Sequence, residues 1–171
     1  CLVGSEMCIR DSFNIMNPID YCNNPTVNLI THRYYEICKK NNINFTISIK
    51  NANIDFIKEH DITALLDNLL ENAVESALMT NEKFIDFSIS TRNSNFVIIK
   101  ISNSCNKKPK YIDGTLVSSK STSGMHGIGT RSIKRVVEKY NGNLEMKFDN
   151  DTKTFTSVIG INSNLPSNNQ S

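Results

Sequence analysis

Apolar residues recur along this chain at two different periods, and the change of period marks the elements. Leu66, Leu69, Leu70, Ala73 and Ala77 fall on one face of a 3.6-residue repeat and predict a helix over Asp61 to Met79. Ile133, Val136, Val137 and Tyr140 make a second stripe, predicting a helix from Gly127 to Tyr140. Lys134, Arg135 and Lys139 suit the negative end of that helix's dipole, and Gly142 suits its stop. A third helix is signalled at its start. Asn24 is a good N-cap and Pro25 a good first helical residue, so the helix runs on to the neighbourhood of Lys40.

Between the helices the period falls to two. Phe45, Ile47 and Ile49 alternate with polar residues and predict a strand. Phe84–Ile89 and Phe96–Ile101 predict two more, with Asn93–Asn95 as the turn between them. Two further strands fall near 143–148 and 154–161. Residues 104–126 show no period and carry Ser, Thr, Lys and Gly, which predicts a long loop of the kind that serves as a lid. Helices on one face of a mixed, mostly antiparallel sheet follow: an α+β two-layer sandwich.

Residues 25–162 are expected to be the folded domain. Residues 13–24 are polar and turn-rich and read as a linker, and residues 163–171 as a disordered tail. Residues 1–12, CLVGSEMCIRDS, resemble a translated sequencing adapter and are set aside from the fold.

Composition narrows the function classes. A chain of 171 residues with 39% hydrophobic and 21% charged residues is long enough for one buried core. Its net charge of +2, with no basic face interleaved with aromatics, argues against nucleic acid. No apolar run approaches the roughly 20 residues that span a bilayer. Cys1, Cys8, Cys22, Cys38 and Cys105 have no metal or redox spacing, so reduced thiols in a cytoplasmic setting are expected.

Three constellations carry candidate chemistry. Asn68, Asn72 and Glu75 stand at i, i+4 and i+7 and share the polar face of the Asp61–Met79 helix. A solvated face is the ordinary reading, but Asn is a poor helix former. Two Asn one turn apart instead suit a required geometry of carbonyl oxygens, such as a hydrated Mg²⁺ needs. Ser123-Gly124-Met125-His126-Gly127-Ile128-Gly129-Thr130 leads straight into the next helix. Glycines admit an anion close to the backbone, and the helix N-terminus offers free N–H groups, though glycines also simply begin helices. Ile99–Ser104 is a strand ending in Asn103, whose amide can read a base edge or serve a turn.

DNLLENAVESA and HGIGTRSIKRVVEKYNG, in that order, resemble the N box and second glycine box of the GHKL superfamily of ATP-binding domains. That superfamily includes histidine kinases, gyrase-type topoisomerases, Hsp90 chaperones and MutL. The chain is most similar to sensor kinases of peptide quorum-sensing systems, the accessory-gene-regulator type. The resemblance covers roughly residues 25–161. It implies a Bergerat fold, with ATP held between the N-box helix and a mobile lid. It further implies Asn72 as the Mg²⁺ ligand, and Asn103 in place of the Asp that contacts the adenine amino group. The phosphates would fall to His126, Gly127, Ile128, Gly129 and Thr130, and Lys120 would be a lid lysine. Asn68 and Glu75 complete the nucleotide-facing side of the N box.

Asn68 stands where the ATPase branches place a Glu. An amide cannot be a general base, so the γ-phosphoryl group is kept from water for an external acceptor. The expected activity is therefore protein-histidine kinase. The acceptor would be a histidine on a dimerisation domain not found in this chain, with a response regulator served indirectly. The membrane would be involved only through segments elsewhere in the protein. Of the histidines, His32 reads as a partly exposed helix residue, His60 as a turn residue and His126 as part of the glycine box. Asn103-Ser104-Cys105 replaces the usual Asp-x-Gly-x-Gly box, which favours a second reading. In it the domain is a non-catalytic, nucleotide-gated module that sequesters a regulator.

Overall fold

The computed structural model describes residues 21–50, 52–93, 95–112, 115–117 and 128–164. The expected artefactual segment, the expected tail beyond Asn164, Lys120, His126 and Gly127 lie outside the described residues.

Helix α1 spans Pro25–Lys40, and Asn24 caps it as the sequence predicts. Its Oδ1 accepts the Val27 N–H at 3.1 Å, and its Nδ2 donates to Asp55 at 3.1 Å. The strand β1 (Asn44–Lys50) follows. Helix α2 runs Glu59–Leu78, beginning two residues before the apolar stripe suggests. His60 is therefore helical rather than in a turn. No side chain caps this end; Glu59 and Asp61 in the first turn complement the dipole instead.

Strands β2 (Phe84–Arg92) and β3 (Phe96–Ser104) form a hairpin, with Asn93 left-handed at φ 50° in the turn. The stretch read as a featureless loop contains a small hairpin, β4 (Lys110–Ile112) against β5 (Thr115–Val117). Helix α3 covers Ile128–Lys139, and β6 (Asn143–Asp149) and β7 (Thr154–Asn162) close the fold.

The end of α3 divides two roles that the sequence assigned to Gly142 alone. The left-handed residue is Asn141, at φ 49°. Gly142 comes next, and its N–H reaches back to the Val137 carbonyl at 2.8 Å. A Cβ on Gly142 would lie 2.9 Å from the Gly160 carbonyl oxygen. Glycine is required there because α3 ends hard against β7.

The five-stranded sheet has the order β1-β2-β3-β7-β6. Only β1 and β2 are parallel, with α2 as their crossover; the other neighbours are antiparallel. The three described helices lie on one face. Strand residues on that face are apolar: Ile85, Phe87 and Ile89 on β2, Val97, Ile99 and Ile101 on β3, and Ile159 and Ile161 on β7. They meet Leu65, Leu66, Leu69 and Leu70 of α2 and Ile133 and Val137 of α3. Each such side chain contributes roughly 1.5–3 kcal/mol on burial. The other face is polar, as one solvated side of an antiparallel sheet should be. Among the described residues no helix is long and apolar enough to cross a membrane.

Candidate functional site

Helix α2 is the axis of the site. Its apolar stripe is committed to the sheet, so the opposite face is free to carry polar groups. Asn68, Asn72 and Glu75 occupy that face as the spacing predicts. Asn68 and Glu75 are half-buried, and Asn72 is exposed.

Asn68 is held at one end of its amide and abuts α3 with the other. Its Nδ2 donates to the Ala64 carbonyl at 2.5 Å. Its Oδ1 faces Gly129 in the first turn of α3, where an added Cβ would come within 2.8 Å. The start of α3 therefore rests on the middle of α2. No acidic residue stands in the first turn of α3. Thr130 is buried in that turn, at 3% exposure. Ile128 begins the helix. The rest of the glycine box lies outside the described residues.

Asn72 stands one turn further along α2. Among the described residues no hydrogen bond engages its amide, which leaves its oxygen available.

Further on, the helix is tied to the end of β3. Ser76 Oγ donates to the Ser104 carbonyl at 3.0 Å. Thr80 Oγ1 and Ser104 Oγ lie 2.9 Å apart, and Ser104 Oγ also accepts the Phe84 N–H at 3.2 Å. These bonds fix Asn103, which is 3% exposed. Asn103 lies on the helix-side face of β3, paired with Ile85 and Phe155. Its Nδ2 donates to the Ser104 carbonyl at 2.9 Å. A carbonyl only accepts, so the amide orientation is set and Oδ1 is the group Asn103 has to offer. From Asn68 to Ser76, α2 thus spans about 12 Å between the start of α3 and the end of β3.

The residues Ser76, Thr80 and Ser104 escape the sequence because their partners sit 20 or more positions away. The other end of α2 holds a second unforeseen cluster. Asp61 Oδ2 accepts from Lys139 Nζ and from Tyr140 OH, each at 2.6 Å. The Tyr140 hydroxyl in turn accepts the Lys58 N–H at 2.9 Å. Burial opposes the charge on Asp61, but those two hydrogen bonds and the charges of Lys139 and His60 hold its carboxyl below its ordinary value. Burial and the Asp61 carboxylate push the Tyr140 hydroxyl up to about 12. This cluster welds the start of α2 to the end of α3.

A shallow trough of 480 Å³ lies elsewhere, on the open face of the sheet, with Asp86, Ser102 and Glu145 among its walls. It is across the sheet from Asn103 and shares no residue with the α2 face. Its polar floor, with Ser102 and Thr156 hydroxyls 3.0 Å apart, is that of a solvated sheet surface.

A mixed sheet under three helices, with an amide-bearing helix facing a helix N-terminus, is the arrangement of a known class. The family model described as GHKL domain matches residues 57–161. The chain belongs to the GHKL family. A Bacillus subtilis (strain 168) protein described as a probable C4-dicarboxylate sensor kinase is 29% identical over 112 residues. That match covers 61% of this chain and 20% of the relative, so the chain spans a fifth of that protein's length. The catalytic domain of histidine kinase ThkA superposes with a TM-score of 0.61 at 18% identity, covering 82% of this chain and 92% of that one. A mycobacterial sensor histidine kinase, MprB, gives 0.59 at 14%, covering 80% and 95%. At such identities these structures show a shared fold. The family model thus shows a GHKL domain, and the superpositions show that its fold is shared by catalytic domains of histidine kinases.

Proposed function

We propose that this domain binds ATP with Mg²⁺ on the polar face of α2 and passes the γ-phosphoryl group to a histidine held outside the domain. The observation that carries the reading is the contact between Asn68 and Gly129. It brings the start of α3, with its free N–H groups, to within one turn of the exposed Asn72. A phosphate chain needs both a cation and backbone donors, and the two converge here.

The residues fit the nucleotide in chemical type. Asn72 offers a neutral oxygen to a Mg²⁺ ion that otherwise keeps water and phosphate ligands. The first-turn amides of α3, from Ile128, Gly129 and Thr130, would hold phosphate oxygens. At the far end, the Asn103 Oδ1 is an acceptor on a buried strand end and matches the donor amine of adenine. Glu75 lies between, and Lys120, His126 and Gly127 would close the phosphate side. Bound Mg²⁺ would neutralise phosphate charge during transfer.

Asn68 and Asn72 are both amides, and neither can take a proton from water. What these side chains do is bind and orient, leaving the phosphoryl group for a better-placed nucleophile. The imidazole acceptor would come from a dimerisation domain, and a response regulator would be the eventual recipient. Such a domain works in the cytoplasm, where ATP is available. Its glycine box and Asn103 support kinship with the peptide quorum-sensing branch.

Calorimetric titration with a non-hydrolysable ATP analogue, with and without Mg²⁺, tests the binding. Mg²⁺-dependent binding is expected in the unsubstituted domain. A folded sample that binds nothing would end the reading. Addition of a separate histidine-bearing helix pair, with radiolabelled ATP, then tests transfer.

A further inference from the structure

We propose that Asn68 is a positioning residue: it docks α3 onto α2 through Gly129 and so sets the spacing between the phosphate-binding amides and Asn72. The proposal rests on the ATP reading above. Three observations carry it.

First, the amide of Asn68 has a fixed orientation. Nδ2 donates to the Ala64 carbonyl at 2.5 Å, one turn back on the same helix. That bond turns Oδ1 toward α3.

Second, Gly129 is a glycine for a steric reason. It is the second residue of α3, a position that many other residues could fill. Its backbone is not left-handed, so conformation does not demand it. Space does. A Cβ there would lie 2.8 Å from Asn68 Oδ1 and 3.6 Å from Asn68 Cγ. Real Cβ atoms do not approach so closely. The oxygen is the end of a side chain, so it would rotate aside, and that rotation pulls on the Ala64 bond at the other end of the amide.

Third, the contact lies between the two weldings already described. The Asp61–Lys139–Tyr140 cluster fixes the far end of α3, and Ser76 fixes α2 to Ser104. Neither sets the separation at the start of α3. Asn68 against Gly129 does, about 6 Å along α2 from Asn72. A shift of α3 at that point would part the amides from the metal ligand without unfolding anything.

The test is a double-substitution cycle in the full chain: Asn68→Ala, Gly129→Ala and both together. Two readouts are taken. One is the melting midpoint. The other is affinity for a non-hydrolysable ATP analogue with and without Mg²⁺, well below every midpoint. Gly129→Ala is expected to weaken the Mg²⁺-dependent affinity about tenfold, and adding Asn68→Ala to recover most of that loss, since it removes the clash. Asn68→Ala alone costs less than Asn72→Ala.

Two results overturn the proposal. Additive effects, within about twofold in both readouts, would mean the residues do not act as a pair. A loss in Asn68→Ala as large as in Asn72→Ala, with no recovery in the double variant, would make Asn68 a direct ligand. If the unsubstituted domain binds no nucleotide, the ATP reading fails by itself. The melting cycle still decides the docking: coupled midpoints uphold it and additive midpoints overturn it.

Discussion

The start and the middle of α2 carry polar side chains in opposite circumstances. At the start, Asp61 is buried and engaged, with Lys139 and Tyr140 bonded to one oxygen and His60 3.4 Å from the other. One turn past the middle, Asn72 is exposed and engages no described partner. Both residues lie on the same helix, and both face α3 or the space beside it. The difference separates structural polarity from available polarity. A carboxylate already shared by a lysine and a tyrosine has little to give a ligand. An amide on a poor helix former, left to solvent on a face next to a helix N-terminus, has.

The comparison is broken most directly at Asn72. Asn72→Ala is expected to cost about 100-fold in Mg²⁺-dependent nucleotide affinity, or about 2.7 kcal/mol. Its melting midpoint should hold or rise slightly, because no described contact is lost and Ala is the better helix former. A fall in the midpoint as large as that of a core substitution would place Asn72 on the structural side.

Asp61→Ala should do the reverse. It leaves Lys139 and Tyr140 without their acceptor and should destabilise by about 2 kcal/mol, at the low end for a broken buried pair because Lys139 is partly exposed. Nucleotide affinity well below the midpoint should be unchanged. Chemical denaturation and titration of the same sample read both.

The same pair predicts a pH dependence. The folded carboxyl of Asp61 is held below its ordinary 3.8. Its contribution is therefore full above the unfolded value and is lost as pH falls through the folded one. Tyr140, raised to about 12, contributes fully below 10 and loses that contribution as pH rises through 12. In Asp61→Ala the acid limb of the stability curve should flatten. An unchanged acid limb would remove Asp61 as its source.

Tyr140→Phe keeps the ring and removes the hydroxyl that joins Asp61 to the Lys58 N–H. About 1–2 kcal/mol of stability should go, measured by urea denaturation, and no affinity. The smallest effect is expected from Ser76→Ala. One bond to the Ser104 carbonyl is lost, worth about 1 kcal/mol or less, while Asn103 still reaches the same oxygen. A large loss of adenine-nucleotide affinity in that variant would show that α2 itself holds Asn103 in place.

Local signals in the sequence are legible where the cause is local. Asn24-Pro25 gave the start of α1 because capping is settled within four residues. The alternations at 45–49, 84–89 and 96–101 lie inside strands that prove longer at one end or both. Failures mark where the cause is distant or too short to repeat. The N-terminus of α2 lacks a capping side chain, so nothing announced that His60 is helical. Strands β4 and β5 are three residues each, too brief to display a period. Gly142 drew attention as a helix stop, whereas its constraint comes from Gly160 across the domain. Likewise the Asn68–Asn72 spacing was visible, but the neighbour of Asn68, Gly129, is brought there only by the closing of α3 onto α2. The Asp61 cluster joins residues 78 and 79 positions apart and leaves no trace in any window of the chain.

The sheet's one parallel pairing also orders events in time. Strands β2 and β3 are joined by a tight turn, and β6 and β7 by another, so both ribbons close over short loops. Asn44 must find Phe84 across the whole of α2. Closing that longer loop carries the larger entropic cost, which places β1 and its crossover helix among the later parts to lock. The helix that bears Asn72 is that crossover. Hydrogen-exchange protection should therefore arise in the β2–β3 ribbon before it arises in β1, and the nucleotide face should be among the last surfaces of the molecule to take its form.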